Sequence, residues 1–303
     1  MRLSILLIIL SLLLFNCKII TIEEEQSIAN VPGDVELLTI PAGIYTYGKE
    51  KIEYYIDYDY LMMKFPVTNS QYVNYLKEAV SLDLVTIDSL GVYGHYGGDP
   101  FWPPGVYQFV DFSNRNSRNG FYSPDIYFTK WRYVENRKES YDNHPVTHVS
   151  WFGALAYAKY YGMRLPTVQE WEKAARANSG NEYPWGDIIS PDFANYKNSG
   201  DIYDNDTTPV GFFNGEYNTS NSESPYGMYD MSGNVWEWTY SWWRDSSGKV
   251  IKGGSFNSSA IISIDSEIPL VYNLMTWFEP AIGYLPTNIS REIGFRCVKD
   301  IEN

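Results

Sequence analysis

The chain reads as an α+β fold with few regular elements and long loops, and three observations predict this. Three capped helical patterns all fall before Asn178. Beyond that point helix signals fade into a stretch rich in Gly, Asn, Asp, Ser and aromatics, which suits short strands joined by irregular loops. Third, no fixed-period repeat and no Pro- or Gly/Ser-rich linker divides the region after Leu37, so the 44% hydrophobic and 17% aromatic content of the whole chain points to one core.

The first strand and turn lie at Leu37-Leu-Thr-Ile-Pro-Ala-Gly-Ile-Tyr45. A first helix begins at Thr68 or Asn69, where both residues can cap it, and Tyr72, Val73, Leu76 and Val80 recur at helical spacing. Ser150 caps a second helix, Trp151 to Tyr161, which Gly162 stops. Thr167, three residues before Glu170, opens a third with a capping box, and Val168, Trp171, Ala174 and Ala175 form its apolar stripe. Cys297, in the alternating Gly294-Phe-Arg-Cys-Val298, reads as a small hydrophobe of a terminal strand.

A formal charge of −14 and a pI near 4.6 argue against phosphate-backbone binding, so nucleic acid is not an expected partner. The apolar run from Leu3 to Phe15 is shorter than the ~20 residues that span a bilayer and matches a signal h-region. It leads into Leu14-Phe15-Asn16-Cys17, a relaxed lipobox. The expected organisation is therefore a lipoprotein signal peptide over 1–17 with Cys17 lipidated, a tether over 18–36 around Glu23-Glu-Glu25, and a domain over 37–303; the alternative for the N-terminus is an ordinary signal peptide with an incidental cysteine. This places the protein in the cell envelope, anchored on the periplasmic or outer-membrane side. With only Cys17 and Cys297 present, no disulfide framework is available.

Five blocks occur in one order: Pro41-Ala-Gly-Ile-Tyr-Thr-Tyr-Gly48; Pro66-Val-Thr-Asn-Ser-Gln-Tyr72; His144-Pro-Val-Thr-His-Val-Ser-Trp151 with Arg164-Leu-Pro-Thr-Val-Gln-Glu-Trp-Glu-Lys-Ala-Ala-Arg176; Gly227-Met-Tyr-Asp-Met-Ser-Gly-Asn-Val-Trp-Glu-Trp238; and Gly294-Phe-Arg-Cys297. Together they resemble the formylglycine-generating enzyme, or sulfatase-modifying factor, family over most of the chain. The resemblance implies a C-type-lectin-like fold. The segment at about 85–141 is unlike the family's blocks and reads as an aromatic-rich insertion that either contacts a partner or packs on the domain.

The resemblance also implies oxidation of a sulfatase cysteine by oxygen at copper(I), held by two cysteines at the third and eighth positions past the Ser of Gly-Gly-Ser-aromatic. Counted from Ser255, those positions are Ser258 and Ser263. Neutral hydroxyls are hard, weakly basic ligands and do not replace thiolates on soft copper(I), so copper is not expected. The family's Arg-Tyr-Arg run that helps line its substrate groove is likewise replaced, by Ile264-Asp-Ser-Glu-Ile-Pro-Leu-Val-Tyr-Asn273. The iron-dependent sulfoxide synthases of the wider superfamily need more histidines than His95, His144 and His148. The last two flank Pro145, which is incompatible with a metal pair on one helical face.

What the resemblance leaves is structural calcium, a hard cation suited to carbonyl and carboxylate oxygens. One site would use Asp230, the carbonyls of Gly233 and Val235, and Glu237. A second would use Asn195, the Tyr196 carbonyl, Asp201 and the Tyr203 carbonyl, with Asp204 or Asp206 as substitutes. The alternative for the first motif is a packed turn. Three functions follow: a non-catalytic envelope lipoprotein that binds a protein or glycan, a formylglycine-generating oxidase, and a calcium-dependent carbohydrate binder using platforms such as Trp242 and Trp243.

Overall fold

The computed structural model describes residues 28–112, 131–134, 137–203, 205–216, 218–244, 248–259, 274–277 and 283–301. Met1–Cys17, Phe121–Phe128, Asp204 and Ser263 lie outside the described residues, as do the expectations that fall on them.

Small sheets surround three helices among the described residues. β1 (Leu37–Ile40) pairs antiparallel with β4 (Tyr60–Met63), whose other edge takes β13 (Val298–Asp300). β2 (Gly43–Tyr47) and β3 (Ile52–Ile56) form a hairpin. β5 (Val85–Ile87), β6 (Gly91–Tyr96) and β7 (Gly105–Asp111) form a meander, followed by a hairpin of β8 (Trp131–Val134) and β9 (Arg137–Ser140). In the last sheet β10 (Trp236–Trp242) sits between β11 (Lys249–Lys252), antiparallel, and β12 (Ile293–Gly294), parallel.

Helix α1 (Asn69–Ser81) carries the capping box Thr68/Gln71, which satisfies two helix-end groups reciprocally. Its buried face holds Tyr72, Val73, Tyr75, Leu76 and Ala79. Val80, expected in the stripe, is 41% exposed, because 3.6-residue periodicity turns Ala79 inward instead. α2 (Trp151–Tyr160) is capped by Ser150 and buried nearly all round, the state of a helix at the centre of a domain. Gly153 makes this possible: a Cβ there would stand 2.7 Å from the Phe109 carbonyl oxygen and 2.8 Å from the Tyr72 hydroxyl. α3 (Val168–Arg176) has the expected Thr167/Glu170 box, and all four stripe residues are buried.

The expected boundary of the tether is corrected. The tether reaches the folded body before residue 36: the amides of Ile28 and Ala29 donate to the Tyr160 carbonyl, and Ala29, Val31 and Val35 pack on the core. Of the two readings of the insertion, packing on the domain holds for its first part. Val85, Val92, Phe109, Val110 and Phe112 belong to the core around α2. The Tyr107 ring stacks on Phe152 at 4.1 Å, with Tyr96 and Trp102 beside it, so these aromatics fasten the meander to the helix. Cys297 is fully buried between β12 and β13 rather than within a strand, and burial pushes its thiol well above the ordinary value.

Candidate functional site

The Asp230–Trp238 motif forms a tight loop entering β10. Asp230, Gly233 and Asn234 all have positive φ (58°, 84° and 63°). Gly233 is required there, because a Cβ would lie 2.3 Å from the Asn195 carbonyl oxygen. Asn234 donates its amide to that same carbonyl, and its side-chain oxygen accepts from the Thr208 amide. The two expected calcium sets are therefore neighbours, joined at Asn195.

Glu237 is fully buried. Its Oε2 accepts from Trp171 Nε1 and Arg296 Nε, and its Oε1 from Arg296 Nη2, all at 2.7 Å. The Arg296 guanidinium also donates to the carbonyls of Met63, Lys64 and Tyr229. Three of the roughly four lone-pair directions on the Glu237 carboxylate are thus taken, so it serves mainly as Arg296's counter-ion. An ion at this motif would be held by Asp230 and the carbonyls of Gly233 and Val235, with Glu237 contributing one remaining Oε1 direction. Asp230 suits that part. Burial raises its carboxyl to about 6 against the opposing Gly211 amide, Arg296 and Asn234, leaving a negative charge that a cation would relieve.

The second set fits less well. Asn195 Nδ2 donates to the Asp206 carbonyl, and Tyr196 O accepts from the Ser199 amide. Asp201 is turned on its own loop, accepting from Ser199 Oγ (2.6 Å) and the Tyr203 amide (2.7 Å). Asp206 accepts from the Tyr141 hydroxyl and the Thr207 amide. Among the described residues, three or more His, Cys, Asp or Glu side chains nowhere converge as metal ligands.

Ser258, where the resemblance implies a copper ligand, is buried in a turn. Its Oγ accepts from the Ser255 amide at 2.9 Å and lies 3.4 Å from Ser255 Oγ. Glu292 closes the cluster, accepting from Ser255 Oγ (2.9 Å) and Asn257 Nδ2 (3.0 Å). Both histidines of the 144–148 block are buried outside any helix. His144 Nδ1 bonds Thr207, and His148, with φ of 57°, is lowered by burial to about 4. At neutral pH it is an uncharged core group.

Sequence reasoning missed the buried cations. Glu172 accepts from the Gly48 amide, Arg176 Nη1 and Lys252 Nζ, all three side chains being fully buried. The one available signal was that Lys249-Val-Ile-Lys252 and Gly294-Phe-Arg296 set a charge among inward-facing apolar neighbours.

This loop-rich body, with its buried Trp, Arg and Glu frame, defines a class of domain. The model of the sulfatase-modifying factor enzyme 1-like domain matches residues 25–301, and the chain belongs to that family. It is 29% identical over 274 residues to the uncharacterized protein YfmG of Bacillus subtilis (strain 168), covering 78% of this chain and 46% of that one. It is 36% identical over 157 residues to inactive C-alpha-formylglycine-generating enzyme 2 of Bos taurus, covering 50% and 49%. With the formylglycine-generating enzyme of Mus musculus it shares 37% identity over 147 residues, covering 42% and 40%. The matched stretches span about half or less of these relatives' own lengths. The solved structures of CarF (TM-score 0.53, 21% identity, 88% of this chain and 99% of that one) and Treponema denticola variable protein 1 (TM-score 0.55, 16%, 88% and 95%) share the fold.

Proposed function

We propose that the chain is a non-catalytic member of its family, exported and lipid-anchored through Cys17, that works by binding an envelope protein or a glycan. The observation that carries this reading is Ser258: a buried hydroxyl already engaged in its own turn stands where the family's chemistry requires a soft thiolate. Cys297 does not supply that ligand, being sealed in the core and held as a neutral thiol. A relative named as inactive is compatible with the same reading. Calcium enters it as a structural ion at Asp230, Gly233 and Val235. Among the described residues no helix is long and apolar enough to cross a membrane.

The test supplies the protein with copper(I), oxygen and a Cys-x-Pro-x-Arg peptide, and follows peptide mass and retained metal. An unchanged peptide with no bound copper is expected. An aldehyde product would restore the formylglycine-generating oxidase.

A further inference from the structure

Arg176 closes α3 with its side chain fully buried, and its hydrogen bonds all lie on one nitrogen. Nη1 donates to the Gly48 carbonyl at 3.2 Å and to Glu172 Oε1 at 3.1 Å, which uses both of its N–H groups. Nε and Nη2 are sealed from solvent and have no hydrogen-bond partner among the described residues. These two nitrogens form one side of the planar guanidinium, where parallel N–H bonds make the fork that receives both oxygens of a carboxylate. The Tyr45 hydroxyl on β2 is also buried without a partner among the described residues, and interacts electrostatically with both Glu172 and Arg176.

The charge beside this edge is unbalanced as well. Glu172 is shared by Arg176 and by Lys252, whose Nζ lies 3.3 Å from Oε2, and all three side chains are fully buried. Among the described residues neither cation has a second carboxylate within ion-pair distance, so one positive charge is left over inside the body. A buried charge is ordinarily compensated, because taking it out of water costs far more than a neutral group does. Gly180, with φ of 65°, keeps a side chain off the open edge: a Cβ there would stand 3.8 Å from Nη2.

We propose that the Nε–Nη2 edge of Arg176 binds a small planar oxyanion of the carboxylate class as an internal counter-ion, where β2, α3 and β11 meet. Two independent features select that ligand. The paired donors call for two coplanar acceptor oxygens, which a spherical halide lacks. The surplus charge calls for an anion, which a neutral amide is not. Complete burial of the arginine restricts the ion to a few heavy atoms, the size of formate. Once bound, it neutralises the Glu172–Arg176–Lys252 cluster, and the Tyr45 hydroxyl offers a third donor.

The test uses the full chain and formate as the probe, with thermal unfolding followed at constant ionic strength in chloride or in formate. Formate is expected to raise the melting temperature saturably, by a few degrees at a tenfold excess over its Kd, and chloride is not. The shift should vanish in Arg176→Lys, which keeps the charge beside Glu172 but loses the fork. A shift of equal size in chloride, or one that persists in Arg176→Lys, would overturn the site. Should that variant not fold, the arginine 15Nε–1H signals of the unaltered chain decide, a buried one being expected to shift with the same formate midpoint. An oxyanion already held after purification is counted by ion chromatography of the denatured chain, where one equivalent supports the proposal. Neither a carried oxyanion nor any response to formate would sink it.

Discussion

The loops around Glu237 and around Ser258 lie close together in sequence but are held in opposite ways. Glu237 is gripped from far along the chain, by Trp171 and by an arginine that also binds the carbonyls of residues 63, 64 and 229. Ser258 is gripped locally, by the Ser255 amide three residues away. In the first loop removing one partner strands a buried charge, whereas in the second a neutral hydroxyl serves a turn. The difference teaches that frame and chemistry are separable in this fold. Ser258, where the resemblance implies a copper-binding cysteine, meets the needs of its turn as a serine.

The sharpest way to break this comparison is Glu237→Gln. It leaves the Arg296 guanidinium buried without its counter-ion and is expected to cost about 3–5 kcal/mol in denaturant unfolding. A loss below ~1 kcal/mol, the scale of an exposed pair, would remove Glu237 from the frame.

Asp230→Asn tests the cation side of the same loop. Because burial raises the carboxyl to about 6, its charged form costs stability that is absent below about pH 4, grows between about 4 and 6 and is fully present above that. In EDTA at neutral pH the variant is therefore expected to be more stable than the native chain, by on the order of 1–2 kcal/mol. Added calcium should raise the native melting temperature and reverse that order. A native melting temperature indifferent to calcium would take the ion out of the proposed function.

The smallest effect belongs to Ser258→Ala, which removes the acceptor of one buried amide. Thermal unfolding should show a loss of about 1 kcal/mol. A loss as large as that of Glu237→Gln would erase the contrast between the two loops.

How much of this was legible in the sequence depended on how local the cause was. Thr68, Ser150 and Thr167 cap their helices as read, because a cap is decided by residues within one turn. The interior position of Val85 to Phe112 was not legible, since their partners on α2 lie some 40 or more residues onward and only the fold brings them together. The Glu172–Arg176–Lys252 cluster escaped for the same reason: its lysine is 80 residues from the glutamate it meets. The Glu237 motif is legible as a unit, but the pairing of its carboxylate with Arg296 is not, because the two lie 59 residues apart.

The 233 residues separating Arg296 from its Met63 acceptor have a consequence for biogenesis. β4 gains its second neighbour only when residues 298–300 arrive, and the Glu237 carboxylate is neutralised at the same moment. A nascent chain carrying the first two hundred and fifty residues would hold an open strand edge and an uncompensated buried carboxylate. Closure is therefore postponed until nearly all of this stretch has been made, giving folding dominated by long-range contacts, with the slow rate that such topology imposes.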